Sequence, residues 1–143
     1  MSASGEAGRQ ATVLLLGATA ALAVTACSVG EGGWMPAQRH GETYAGDRRQ
    51  IDGVLEIDSN QCYDLTVDGT TWFVIWPEGS RWDLGVRLPN GQLLRDNGTR
   101  VSATGARTPT AALTDEFWTR SFLLCAPGAA EVLVLDIALV AAE

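Results

Sequence analysis

Residues 62–77 read Cys62-Tyr63-Asp64-Leu65-Thr66-Val67-Asp68-Gly69-Thr70-Thr71-Trp72-Phe73-Val74-Ile75-Trp76-Pro77. The first half alternates, with Tyr63, Leu65 and Val67 on one face, the period-2 pattern of a half-buried strand. Asp68-Gly69 is a hairpin signal, because both residues tolerate positive φ. The return run from Thr71 to Trp76 is apolar on both faces: Phe73 and Ile75 point one way, Trp72, Val74 and Trp76 the other. Such a strand needs cover on both sides. Pro77 cannot donate to a ladder and ends it.

The pattern extends outward. Val54 to Asp58 alternates with Leu55 and Ile57 inward, and Ser59-Asn60-Gln61 turns into Cys62. Downstream, Val86 to Leu88 and Gln92 to Leu94 flank the turn Pro89-Asn90-Gly91. Asp96-Asn97-Gly98 is a further turn before a strand from Arg100 to Thr104. Thr114 ahead of Asp115 and Glu116 predicts a helix N-cap with favourable first-turn charge. That helix is short, since Ser121 to Cys125 reads as strand. Glu131 to Val140 is the strongest strand. The expectation is an all-β, mainly antiparallel domain. About six strands and at most one short helix form a small OB-like barrel or a sandwich.

Half of the chain after the leader resembles a recurrent type of small secreted or lipidated bacterial domain. The shared features are Gly53-Val54-Leu55, Cys62 with Leu65, Trp76-Pro77, and Gly98-Thr99-Arg100-Val101 with Gly105. The resemblance implies an OB-type barrel and carries no activity. The stretch from Gly105 to Cys125 departs from that pattern.

The N-terminus resembles that of a bacterial lipoprotein, of actinobacterial type. Arg9, opposed by Glu6, precedes an uncharged run from Ala11 to Ala23, and Val24-Thr25-Ala26-Cys27 resembles a lipobox. The run is shorter than the roughly 20 apolar residues that a membrane span requires, and it fits a signal h-region. The resemblance implies removal of residues 1–26, lipidation of Cys27 and tethering to the outer face of the cell membrane. Two acyl chains on the cysteine's glyceride suffice for stable anchoring. An ordinary cleaved signal and an uncleaved anchor are the alternatives. Residues 27–50 lack an apolar period and predict a flexible linker, with His40 idle in it. Residues 51–143 then form the domain.

With Cys27 assigned to lipid, Cys62 and Cys125 remain, and in an oxidising exterior they are expected to pair. The alternative, a redox or metal pair, lacks a CxxC or zinc spacing.

Composition excludes some chemistry. The chain has 143 residues and a net charge of −7. Without a basic cluster it does not suit nucleic acid. His40 is the only histidine, so a Ser or Cys nucleophile in the domain lacks an imidazole base. Glu56, Asp58, Asp64 and Asp68 fall on outward strand positions and read as a solvated acidic face. A glycosidase-like pair or a Ca²⁺ site is the sharper reading of them. No P-loop, GxGxxG, HExxH or EF-hand motif is present, and no cofactor is implied. Asn97-Gly98-Thr99 matches a glycosylation sequon but reads as a turn.

Trp72, Trp76 and Trp82 are the better lead. If Phe73 and Ile75 fill the barrel, the tryptophans face outward as a partner or ligand surface. Alternatively, Trp118 and residues 106–122 pack over them as a second small core. The expected role is a non-enzymatic binding module for a protein or an envelope glycan. A carboxylate-dependent hydrolase and a purely structural envelope protein are the alternatives.

Overall fold

The computed structural model describes residues 34–113 and 116–142, with the backbone alone for 116–119. The leader, Cys27, the N-cap expected at Thr114 and the side chain of Trp118 lie outside the described residues.

The elements are β1 (Arg49–Ile57), β2 (Tyr63–Val67), β3 (Thr70–Trp72), β4 (Val74–Ile75), β5 (Arg81–Trp82), β6 (Val86–Arg87), β7 (Leu93–Leu94), β8 (Arg100–Pro109), α1 (Glu116–Cys125) and β9 (Glu131–Val140). The main sheet runs β3-β2-β1-β8-β9-β4. Its two edges belong to one stretch of chain. β3 pairs antiparallel with β2 (Leu65 opposite Trp72), and β4 pairs parallel with β9 (Val74 opposite Leu133). At Phe73 the chain changes partner, and its carbonyl accepts from the Leu133 N–H at 2.9 Å. Counting β3–β4 as one bent strand, five strands close an OB-like barrel. Closure removes the exposed edges that would otherwise template aggregation.

Alternation sets the inside. Ile51, Leu55, Leu65, Val74, Trp76, Val101 and Leu135 belong to one buried cluster. A second sheet, β5-β6-β7, adds Val86, Leu88 and Leu94 to that cluster. Trp82 meets the Tyr63 ring edge-on, 5.5 Å between centroids. This sheet plugs the barrel end where Ile57 pairs with Tyr63. The opposite end stays open.

Outside the barrel, Phe73, Ile75, Val132 and Val134 form a second buried cluster with Phe122 of α1. Phe73 and Phe122 pack edge-to-face at 5.9 Å. Cys62 and Cys125 are joined in a disulfide, with Cα atoms 5.7 Å apart, which ties the end of α1 to the start of β2.

Two expectations are corrected. Residues 121–125 are helical, not extended. Ser121 and Phe122 are buried while Leu123 and Leu124 are exposed, and this helical spacing faces one side only. Residues 34–48 are a strap on the barrel rather than a loose linker. Trp34 bridges Cys62 and Ala37 bridges Trp76. The Gln38 amide donates to the Leu135 carbonyl at 2.6 Å, and Arg48 pairs with Asp136 at 2.7 Å. The β8–β9 register slips at Thr104/Gly105, where Asp136 is the extra residue. A β-bulge leaves ladder groups unpaired, and Gln38 takes one of them. Partners met singly in this way leave no period in the sequence.

Candidate functional site

The site is the open end of the barrel. Arg49 and Ile51 alternate inward at the start of β1, as Val67 does at the end of β2 and Trp72 at the end of β3. Arg107 of β8 lies opposite Leu133 of β9, so both face the same side. These residues line a cleft of about 210 Å³, bordered by Gln50, Asp52 and Asp68. Barrel mouths of this kind are common ligand sites.

Inside the cleft, the Arg107 guanidinium carbon lies 4.5 Å from the centre of the Trp72 ring. Stacking of a guanidinium on an indole is attractive because the ring face is negative. Trp72 is half-buried and also packs on the barrel core. Asp52 projects to the outer face, where its carboxylate accepts from the Ser102 hydroxyl at 2.9 Å. Gln50 joins it there, 2.7 Å from Ser102.

The three tryptophans expected on one surface are not brought together. Trp72 is at the mouth. Trp82 is at the plugged end, half-buried against Tyr63. Trp76 is 0% exposed and sits in the core. Its burial inverts the assumed facing, because Val74 and Trp76 fill the barrel while Phe73 and Ile75 lie outside beneath α1. The strap completes the cover, since the Trp76 backbone N–H donates to the Pro36 carbonyl at 2.7 Å.

The acidic positions also separate. Glu56 accepts from the hydroxyls of Thr66 at 2.6 Å and Thr71 at 2.9 Å. These hydrogen bonds hold its carboxyl below the usual range. Asp58 accepts from the N–H groups of Asn60 and Cys62 and shapes the β1–β2 turn. Asp68 forms the β2–β3 turn with φ of 50°. Asp64, expected on a solvated face, is only 7% exposed. It stands one step along the ladder from the Leu65–Trp72 pair, beside Phe73 and hence under the α1 side of the sheet. Burial, then the charges of Asp58 and Glu56, push its pKa up to about 7. Its Oδ1 and the Ser121 hydroxyl are both buried without a hydrogen-bond partner among the described residues.

His40 lies 2.7 Å from the Glu78 carboxylate on the surface, away from the mouth. Among the described residues no group of three or more His, Cys, Asp or Glu side chains is placed to hold a metal. No helix among them is long and apolar enough to cross a membrane.

Sequence reasoning missed Arg49 and Arg107. Arg49 falls in the segment read as linker. Arg107 lies beyond the expected end of its strand, where small residues carry no hydrophobic alternation. Comparison with known proteins finds no matching family model, no matching curated protein and no matching solved structure.

Proposed function

We propose that this chain is a membrane-anchored extracytoplasmic lipoprotein, held through Cys27, whose barrel is a non-enzymatic binding module for an envelope glycan. The Cys27 motif supports the anchoring, and the joined Cys62–Cys125 pair is consistent with an oxidising exterior. One observation carries the binding reading: the Trp72–Arg107 stack sits in a cleft at the barrel's open end. An aromatic wall with convergent polar groups is the usual make-up of a ligand pocket.

The test has two parts. Intact mass of membrane-extracted protein is expected to show loss of residues 1–26 and two-chain lipid on Cys27; an unmodified thiol there overturns the anchoring. Retention of the protein on isolated envelope polysaccharide is expected to fall at least tenfold in Trp72→Ala and to persist in Trp82→Ala. Equal retention of both variants overturns the site.

One observation favours a second reading. A carboxyl that titrates near neutrality, as Asp64 does, is what a general acid requires. A carboxylate-dependent hydrolase predicts a bell-shaped pH–rate profile that Asp64→Asn abolishes. No turnover across a hydrolase panel removes this reading.

A further inference from the structure

We infer that the barrel mouth recognises an oxyanion, a carboxylate or phosphate group, clamped by Arg107 and Arg49. The inference rests on the reading of the mouth as the binding site and goes further by naming the group it takes. The inward side chains at this end are Arg49, Ile51, Val67, Trp72, Arg107 and Leu133. That set contains two cations and no anion. Asp52 borders the cleft but points outward, and Ser102 occupies its carboxylate. Asp68 belongs to the exposed turn at the rim.

Neither arginine makes an ion pair among the described residues, although other arginines in the chain do: Arg87 with Asp83, and Arg48 with Asp136. In a chain of net charge −7, the cleft lining balances Arg49 and Arg107 against Asp52 and Asp68, and both arginines lack a carboxylate partner among the described residues. Trp72 holds the Arg107 guanidinium carbon 4.5 Å from its ring centre. A cation held over a ring face keeps N–H groups that can donate to a ligand. The planar guanidinium fork matches carboxylate and phosphate geometry, as a lysine ammonium does not. A cleft of about 210 Å³ admits one small ring or headgroup.

The test titrates the detergent-solubilised full chain with glucuronate, glucose and inorganic phosphate by calorimetry at low salt. Glucuronate is expected to bind and glucose not to bind. Arg107→Gln and Arg49→Gln should each weaken binding at least tenfold, with circular dichroism and the disulfide unchanged. Arg107→Lys keeps the charge but loses the stacked fork, and should also weaken it. Raised ionic strength should reduce affinity.

Binding of phosphate without glucuronate assigns the group as phosphate, supports the oxyanion and removes the glycan reading. Equal affinity for glucose and glucuronate overturns the oxyanion and keeps the glycan. Unaltered binding in Arg107→Gln, or no binding of either anion, overturns the inference.

Discussion

Glu56 and Asp64 face each other across the β1–β2 ladder, yet their environments drive their proton affinities apart. Two threonine hydroxyls stabilise the Glu56 carboxylate. Burial beside Phe73, with no partner for Oδ1 among the described residues, favours the neutral form of Asp64.

Stability is therefore expected to depend on Asp64 with a definite sign. Its pKa is about 7 in the fold against an ordinary 3.8. Well below pH 4 both states hold the proton and nothing is lost. Between about pH 4 and 7 the unfolded chain releases a proton that the fold retains, so stability falls as pH rises. Above pH 7 the cost is complete, on the order of 4 kcal/mol. Asp64→Asn should stabilise the protein at pH 8 and leave it nearly unchanged at pH 4. Urea denaturation at the two pH values checks this; a constant difference between variant and wild type would refute it.

The disulfide holds α1 over Phe73, Ile75, Val132 and Val134. It joins residues 63 apart in sequence. For a loop of that size the chain-entropy model gives about 4 kcal/mol. The double variant Cys62→Ser, Cys125→Ser should lower the urea midpoint accordingly. Hydrogen exchange should rise first in α1, which packs on the outer cluster through Phe122 and Cys125. Uniform loss of protection throughout the barrel would contradict that order.

Trp76 and Trp72 separate stability from binding. Trp76→Ala should cost about 3–5 kcal/mol, the usual range for emptying a buried aromatic site. Trp72→Ala, half-buried at the mouth, should cost much less while lowering glycan retention at least tenfold. Thermal unfolding of both variants, set against their retention on polysaccharide, decides the matter. Comparable melting losses would mean that Trp72 is a core residue only.

Gly105 permits the close approach of β9 at the register slip. A Cβ there would lie 2.2 Å from the Val134 carbonyl oxygen, which no small side-chain movement relieves. Gly105→Ala should destabilise by about 2–4 kcal/mol, in line with other overpacked positions. It should also disturb Gln38 and Arg48, which dock at the same slip. A neutral result would show that the bulge relaxes freely.

Much of the fold was legible in short-range pattern. Tyr63-x-Leu65-x-Val67, Asp68-Gly69 and Val132 to Leu135 predicted their strands and turn, because alternation and turn chemistry act between near neighbours. The facing of Thr71 to Trp76 was not legible. Both its faces are apolar, so period 2 names two sets without saying which one the barrel encloses. That depends on where α1 and the 34–38 strap settle. The same limit hid Asp64, which carries the sequence marks of an outward residue and is buried in the fold.

By itself the sequence determined an all-β domain with at most one short helix, and a Cys62–Cys125 pairing once Cys27 is set apart. These follow from local spacing and from counting residue types. Only the tertiary structure decided that Trp76 is core, that Trp82 is remote from Trp72, and that Arg49 and Arg107 meet at one mouth. Barrel closure is the reason. Joining β4 to β9 brings residues from five strands to a common end, and no local pattern encodes which inward side chains then become neighbours.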